Sequence, residues 1–300
     1  MKYKIFILFL LFTILFSGCN GRIEDGGAFK ISGLNGEEIS LPERPNRIIV
    51  LAPNLLEIFY YLELEGLLVG RVDEASFPKE SDNIPSVGHF QRPDIEKIIK
   101  QKPDLVITTG LVQRKTTEKL QQLNIPVLEL YITSIKDLIK SLEIISQFSK
   151  TPNITKSKID SLKYKFNNTV YPKSSNKLKV LPIIWWDPLT IAGTETILDS
   201  VLERLGFINI ASRYISGYKK INLEVVLEEN PDIILIIGVQ DYENIIKFMK
   251  DDDIWKKINA VKNDKIIGDI DPDLLLRPGP RLVIGMEEII KRANMRTIFN

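Results

Sequence analysis

The chain has 300 residues, of which 44% are hydrophobic and 26% are charged, and this length is enough for two lobes that each bury a core. Forty basic residues face 39 acidic ones, so the formal net charge of +1 lacks the basic excess that is typical of nucleic-acid-binding proteins. One Cys and one His allow neither an internal disulfide nor a Cys/His zinc cluster.

The first 19 residues have the pattern of an export signal. Two lysines precede an apolar stretch over residues 5–16, which is shorter than the roughly 20 residues of a membrane-spanning helix. The only Cys of the chain, Cys19, follows a Ser-Gly pair. The segment resembles a bacterial lipoprotein signal, in which the Cys becomes the lipidated first residue. An uncleaved anchor with an incidental Cys is the alternative.

Residues 1–19 are therefore predicted to be a signal peptide, and residues 20–44 a short flexible tether. A lipid on Cys19 anchors a protein to a membrane without spanning it. The expected location is outside the cytoplasm, on the cell membrane or the outer membrane, facing the periplasm or the cell exterior.

Strand-like and helix-like patterns alternate after the tether. The apolar runs RIIVLA, LLVGRV, LVIT and IPVLEL predict strands, and the stretches between them, LLEIFYYLELEG, DIEKIIKQ and TTEKLQQLN, predict helices. Such alternation favours a parallel sheet with crossover helices. An N-terminal α/β lobe is predicted over residues 45–150.

A long helical region follows this lobe. The amphipathic stretch SIKDLIKSLEIISQFSK ends at Thr151-Pro152, and a second, Lys-rich helix is predicted within residues 151–173. A new α/β series then fills residues 174–300, with the strand KVLPIIWW, a helix from Thr196 to Gly206, the strand DKIIGDI and a last helix that begins near Pro280.

A near-repeat occurs once in each predicted lobe. Residues 95–110 read IEKIIKQKPDLVITTG, and residues 223–238 read LEVVLEENPDIILIIG. The Pro-Asp step stops a helix, and the apolar run predicts a strand that is buried on both faces. Any two α/β units can share those features. A Glu at the second position of both copies, Glu96 and Glu224, is not required by an α/β unit.

Six stretches, in order and at consistent spacing, carry a family resemblance from about Pro45 to near the C-terminus. They are PNRIIVLAPNLLEIFYYL, VGRVDEASFP, VGHFQRPDIEKIIKQKPDLVIT, AGTETILDSVLERLGFINI, INLEVVLEENPDIILI and RPGPRLVIGMEEI. The chain resembles the bacterial proteins that deliver metal chelates to ABC importers, namely the cobalamin-binding and ferric-siderophore-binding proteins. The resemblance implies two parallel-sheet α/β lobes joined by one long helix, residues 151–173. It also implies a ligand cleft between the lobes and a small closing motion.

The resemblance implies a role for the paired glutamates. In this family, one exposed carboxylate on each lobe meets Arg residues on the two subunits of the permease dimer, and Glu96 and Glu224 occupy the matching positions. Such charge pairs steer the encounter and fix the register of docking. The alternative is that both are solvated residues on exposed helix faces.

Several cleft residues are implied by the same resemblance. Cleft walls in this family combine aromatic side chains with a few polar groups. Phe90 occupies a position where cobalamin-binding relatives carry an aromatic residue, and Arg277 matches a basic residue of the cleft. Tyr218 matches a second aromatic position, and one of Trp185 and Trp186 is expected to face the cleft, because neighbouring strand residues point to opposite faces. Each of these aromatic residues could instead belong to the core.

Glu74 and His89 bear on the choice of ligand. A carboxylate at Glu74 disfavours an anionic ferric siderophore unless Arg71 or Arg92 compensates, so a corrinoid is favoured slightly over a ferric siderophore. A haem-binding protein of the same fold is an alternative, although the haem-binding relatives usually carry Tyr near position 90. His89 could act as an axial ligand of a bound metal, but a lone His is more often a surface or hydrogen-bonded residue.

Other function classes have less support. The sequence contains no Gly-x-Ser-x-Gly, no His-Glu-x-x-His and no Gly-rich phosphate loop, and Glu96 and Glu224 are assigned to separate lobes, too far apart for a glycosidase pair. We therefore expect a binding protein rather than an enzyme, with no cofactor or metal other than its transported ligand. A monomer is expected, and a tethered sensor with the same fold is the remaining alternative.

Overall fold

The computed structural model describes residues 28–171 and 177–298, which form two α/β lobes and the helix between them. The predicted signal peptide, Cys19 and the first part of the predicted tether lie outside the described residues. Among the helices of these two ranges, none combines the length and the apolar character needed to cross a membrane.

The N-terminal lobe is built on a parallel sheet, as predicted. It contains, in chain order, β1 (Phe29–Ser32), β2 (Glu38–Leu41), β3 (Ile48–Val50), α1 (Pro53–Tyr61), β4 (Leu68–Arg71), β5 (Gly88–His89), β6 (Arg92–Pro93), α2 (Ile95–Lys100), β7 (Leu105–Thr108), α3 (Arg114–Gln122), β8 (Val127–Glu129) and α4 (Ile135–Ser146). The parallel strands lie in the order β4–β3–β7–β8. Every residue of the two central strands is buried, which explains their almost continuous apolar sequences.

Part of the predicted tether is folded. Strands β1 and β2 pair antiparallel as a hairpin, and Ile31 and Leu41 are buried. The Phe29 ring lies 6.1 Å from the Phe148 ring, so the hairpin packs against the end of α4. The prediction of a flexible tether over residues 20–44 is therefore wrong for residues 29–41, where alternating apolar residues bury one face of the hairpin.

One helix joins the lobes. Helix α5 (Pro152–Asn168) begins with Pro in its first turn, where the missing N–H costs nothing, and is shorter than the predicted 151–173 segment. Its buried residues recur every three or four positions, as expected for a helix with one apolar face, and they are Thr155, Ile159, Leu162 and Phe166.

The C-terminal lobe contains a mixed sheet. It comprises β9 (Lys179–Trp185), β10 (Thr190–Ala192), α6 (Ile197–Leu205), β11 (Ile208–Asn209), β12 (Tyr218–Lys220), α7 (Leu223–Glu229), β13 (Ile233–Ile236), α8 (Tyr242–Asp251), α9 (Asn259–Lys262), β14 (Ile266–Ile267), α10 (Asp273–Leu276) and α11 (Leu282–Ile298). Strands β9, β11, β13 and β14 pair in parallel, whereas β10 and β12 form an antiparallel edge. The expected parallel sheet is thus present, with an edge that the sequence patterns did not predict.

One hydrophobic cluster extends across both lobes. The larger cluster of buried residues extends from the N-terminal sheet through α5 to α6 and α11, and includes Val106, Leu162, Leu198 and Met286. A smaller cluster lies within the C-terminal lobe, around Trp255. Continuous packing between the lobes resists large changes in their relative position.

The two copies of the repeat begin in the same way. In the first copy, the Asp94 side chain accepts a hydrogen bond from the Glu96 N–H, at 3.0 Å, at the start of α2. In the second copy, the Asn222 side chain accepts one from the Glu224 N–H, at 3.1 Å, at the start of α7. Each Glu is thus the second residue of a side-chain-capped helix, where the positive end of the helix dipole favours a carboxylate.

Both copies also end in the same way. Lys102 and Asn230 adopt left-handed conformations, with φ of 48° and 44°, and stop their helices just before the Pro-Asp step. The Asp104 carboxylate then accepts hydrogen bonds from the N–H groups of Asn46 and Arg47, just before β3. Likewise, the carboxylate of the second copy, Asp232, accepts one from the Lys179 N–H at the start of β9. In each lobe the Asp therefore holds the start of the neighbouring strand.

Candidate binding cleft

A cleft of about 460 Å³ lies at the carboxyl ends of the N-terminal strands. Its other wall comes from the start of α6, from β12 and from the segment between α10 and α11. Open α/β sheets generally bind ligands at this edge. The lining residues are Pro53, Asn54, Glu74, Phe90, Thr109, Val112, Tyr131, Ile132, Thr133, Glu195, Thr196, Ile197, Tyr218, Leu276, Arg277 and Pro278.

Four of the six residues predicted to bind ligand meet in this cleft. They are Glu74, Phe90, Tyr218 and Arg277. Phe90 lies in the tight turn between β5 and β6, and its backbone N–H donates to the Glu74 carboxylate at 2.8 Å. Glu74 therefore helps to position Phe90 in addition to contributing negative charge to the cleft.

Gln113 is a supporting residue that the sequence analysis missed. Its side chain is 1% exposed and donates to the carbonyl oxygens of Leu51, at 2.5 Å, and Phe90, at 2.8 Å. Its amide oxygen also accepts a hydrogen bond from the Thr109 N–H, at 3.3 Å. These bonds connect the ends of β3 and β7 to the turn that carries Phe90. A lone Gln after a buried strand carries no sequence signal for such a role.

Two tyrosines face the cleft from opposite lobes. Tyr131 follows β8 of the N-terminal lobe, and Tyr218 begins β12 of the C-terminal lobe. Although Tyr218 is 49% exposed, desolvation of its hydroxyl, with a smaller contribution from Tyr131, raises its pKa to about 12. The Tyr218 hydroxyl therefore stays protonated at neutral pH and can donate a hydrogen bond to a ligand. Tyr131 was not among the residues predicted from the sequence.

Arg277 is the basic group of the cleft. Its Nε lies 2.9 Å from an Asp273 carboxylate oxygen, which partly neutralises the guanidinium. Its Nη1 atom is buried and has no hydrogen-bond partner among the described residues. An acceptor on a bound ligand would satisfy this donor, since an unpaired buried N–H is costly.

The tryptophans do not line the cleft. Trp186 packs with Phe248 and Trp255, at ring-centroid distances of 5.9 and 5.3 Å, on the smaller core cluster. Trp185 is 57% exposed, and its indole N–H donates to the Asp187 carbonyl oxygen, at 2.7 Å, in the turn between β9 and β10. Neither ring is among the lining residues, contrary to the prediction for one of the pair, because Trp186 packs on the smaller core cluster and Trp185 bonds within the turn.

The charged residues near Phe90 have local partners. His89 is exposed and lies 3.3 Å from an Asp73 oxygen and 3.5 Å from a Glu74 oxygen, outside the cleft lining.

Neither arginine near Phe90 compensates the charge of Glu74. Arg71 is buried and binds the Ser81 carbonyl oxygen and the Asp82 carboxylate. Arg92 is exposed and also lies outside the lining. Within the described residues, no cluster of three or more His, Cys, Asp or Glu side chains is suited to hold a metal ion.

An ion pair connects the lobes beside the cleft. Glu57 on α1 is 4% exposed and accepts hydrogen bonds from Arg281 Nε and Nη2, at 2.9 and 2.6 Å. The Arg281 guanidinium also lies 3.8 Å from the centre of the Phe77 ring. Burial raises the pKa of Glu57, and Arg281 opposes that shift. One helical turn earlier, the Asn54 side chain donates to the Pro278 carbonyl oxygen at 3.2 Å.

Glu96 and Glu224 lie away from the cleft. Both side chains are exposed, and neither belongs to the cleft lining. Glu96 makes no ion pair within the described residues, and Glu224 accepts one hydrogen bond, from the Asn222 amide at 3.2 Å. Both carboxylates are therefore accessible to an external partner.

Comparison with known proteins agrees with this architecture. The family model described as "Periplasmic binding protein" matches residues 48–273. An uncharacterized ABC transporter substrate-binding lipoprotein of Bacillus subtilis, YvrC, is 27% identical, and the alignment covers 93% of each chain. A vitamin B12-binding protein of Vibrio parahaemolyticus is 26% identical, with 82% of this chain and 89% of that protein covered.

Solved structures show the same fold. A possible iron-binding (periplasmic solute-binding) protein of Staphylococcus epidermidis aligns with a TM-score of 0.74 and 26% identity, over 83% of this chain and 99% of that chain. A periplasmic heme-binding protein of Roseiflexus aligns with a TM-score of 0.71 at 21% identity, over 84% of this chain and 98% of that chain. At that identity, the second likeness supports the fold alone.

Proposed function

The chain belongs to the periplasmic binding protein family, and we propose that it captures a metal chelate outside the cytoplasm and delivers it to an ABC importer. The observation that carries this proposal is the cleft between the lobes, where Phe90, Tyr131 and Tyr218 surround an open volume of about 460 Å³ beside Arg277. Family membership confirms the prediction of a binding protein rather than an enzyme. The transported ligand is the only cofactor-like group that the proposal requires.

A corrinoid is the favoured ligand. Aromatic rings from both lobes suit the flat part of a macrocycle, and several curated relatives are named as vitamin B12-binding proteins. Glu74 disfavours an anionic ferric siderophore, and the pairing of Arg71 with Asp82 removes one cation that could have compensated. Among the described residues, Arg277 alone lines the cleft as a cation, with Asp273 already beside it.

Haem is a second candidate because of Tyr131 and Tyr218. Tyrosine can be an axial ligand of haem iron, and both side chains face the cleft. A metal ligand must be deprotonated, however, and the pKa of about 12 opposes ligation by Tyr218. Tyr131 is then the remaining candidate ligand for haem iron.

Binding of candidate chelates to the protein without residues 1–19 tests this proposal. Calorimetry would compare cyanocobalamin, hemin and a ferric hydroxamate. We expect saturable binding of cyanocobalamin, weakened about tenfold in Phe90→Ala because an aromatic contact is worth about 1.4 kcal/mol. Tyr164→Ala, an exposed tyrosine on α5, is the matched control and should change nothing. Absence of binding by all three chelates would reject chelate capture.

Delivery to the importer depends on the two exposed carboxylates in this proposal. Glu96 and Glu224 dock onto basic sites of the two permease subunits, and equal helix positions on the two lobes suit two equivalent partners. The protein acts as a monomer, anchored through a lipid on Cys19. A tethered sensor would use the same cleft without needing either carboxylate.

Charge reversal separates docking from capture. In Glu96→Arg/Glu224→Arg we expect unchanged affinity for the ligand and loss of at least about 90% of importer-dependent uptake, because two cations would face the permease arginines. Glu118→Arg/Glu203→Arg changes one exposed helix residue in each lobe by the same charge and should retain uptake. Normal uptake by the first double variant would contradict the docking assignment.

A further inference from the structure

The helix that joins the lobes and the helix before it carry an excess of positive charge. We call α4, α5 and the turn between them, residues 135–168, the basic helix pair. It contains seven lysines against the three acidic residues Asp137, Glu143 and Asp160, whereas the whole chain has a formal net charge of +1. No residue of either helix lines the cleft, so this charge does not serve the ligand site.

Three of these lysines are paired and four are not, within the part of the chain that the structure describes. Lys156 pairs with Asp160, Lys158 with Glu63 and Lys163 with Glu143, at 2.5, 2.9 and 2.6 Å. The remaining lysines are exposed and form no ion pair within the described residues, and they are Lys136, Lys140, Lys150 and Lys165. Ile154 and Tyr164 are also exposed on α5, at 45% and 70%.

The chain enters the fold beside this surface. Phe29 packs against Phe148 at 6.1 Å, and the Arg44 guanidinium donates to the Ser149 carbonyl oxygen at 2.8 Å. The hairpin of β1 and β2 therefore lies next to the turn of the basic helix pair. Cys19 precedes the first described residue, Ala28, by nine positions. Nine residues span at most about 30 Å.

We propose that the basic helix pair rests on the anionic headgroups of the membrane that anchors the protein. This inference depends on the lipid anchor of the proposed function, which brings a bilayer within about 30 Å of the pair. Unpaired lysines near an anionic bilayer are attracted to it, and Tyr side chains favour the headgroup level. The contact orients the protein while leaving the cleft, Glu96 and Glu224 free, since all of them lie on other elements.

Vesicle sedimentation of the protein without residues 1–19 tests the surface by itself. We expect binding to vesicles of phosphatidylcholine with 30% phosphatidylglycerol, and little binding to pure phosphatidylcholine, at about 0.1 M salt. Changing Lys136, Lys140, Lys150 and Lys165 together to Gln should weaken the binding at least about tenfold. A salt concentration of about 0.5 M should weaken wild-type binding similarly, because it shortens the range of the attraction.

A matched variant distinguishes this surface from general positive charge. Changing Lys115, Lys247, Lys257 and Lys262 to Gln removes the same charge from exposed positions on other elements and should leave binding unchanged. Equal losses in both variants, or equal binding to uncharged vesicles, would overturn the proposal. Chelate binding measured on the same samples reports the proposed function separately, so failure of one does not imply failure of the other.

Discussion

The two copies of the repeat, residues 95–110 and 223–238, form nearly the same helix–strand unit, but the segments that follow them differ. Each has a capped helix with an exposed Glu, a left-handed helix end and an Asp that holds the start of the neighbouring strand. Each also ends at a Gly with positive φ, 79° at Gly110 and 78° at Gly238. The repeated sequence thus specifies a scaffold and an exposed carboxylate in each lobe.

The copies differ in the segments that come after this Gly. After Gly110 the chain supplies Val112 to the cleft and Gln113 beneath it. After Gly238 it lines a different pocket of about 420 Å³, and the C-terminal lobe forms its side of the cleft from other segments. The comparison shows that scaffold symmetry does not extend to the ligand site, where each lobe uses different elements.

The largest effect should come from the aspartates that hold the strands. We expect Asp104→Ala to lower the free energy of unfolding by about 3 kcal/mol and Asp232→Ala by about 2 kcal/mol, because Asp104 serves two N–H groups and Asp232 one. Urea denaturation of both variants measures the difference. Equal losses would show that the two copies are energetically equivalent.

The next effect concerns the segment after Gly110, which lies at the cleft, whereas the segment after Gly238 does not. Gln113→Leu removes the hydrogen bonds to Leu51, Phe90 and Thr109, so we expect chelate affinity to fall about tenfold as Phe90 loses its fixed position. Asp241→Asn changes the equivalent position of the second copy and should leave affinity unchanged. A calorimetric titration that finds equal affinities for both variants would contradict a positioning role for Gln113.

The smallest effect is a difference in acid sensitivity. Glu229 corresponds to Gln101 in the first copy, and hydrogen bonds from Lys179 and Tyr214 lower the pKa of Glu229 below its ordinary value of 4.5. Its stabilising contribution is therefore present above pH 4.5 and is lost as the pH falls further. In Glu229→Gln, unfolding measured between about pH 6 and pH 3 should show a shallower loss of stability than in the wild-type protein. An unchanged slope would mean that other groups cause the loss of stability at acidic pH.

Sequence patterns predicted the elements that repeat a simple period. The strand at residues 105–108, the helix at residues 197–205 and the family assignment all depended on such local signals, and the structure or the comparisons agree with them. Residues 29–41 were missed because two four-residue strands around a Gly-Leu-Asn-Gly turn have too short an alternation to detect. The Glu57–Arg281 pair was missed for another reason, since contacts between residues 224 positions apart leave no periodic trace.

The shared core and the Glu57–Arg281 ion pair also bear on the kinetics of exchange. A cleft held at nearly constant width needs little reorganisation before a ligand enters, so association follows encounter, and differences between ligands appear as lifetimes of the complex. The same packing and ion pair oppose opening of the lobes as well as closing, so a bound ligand leaves through a cleft whose walls stay close to their resting positions.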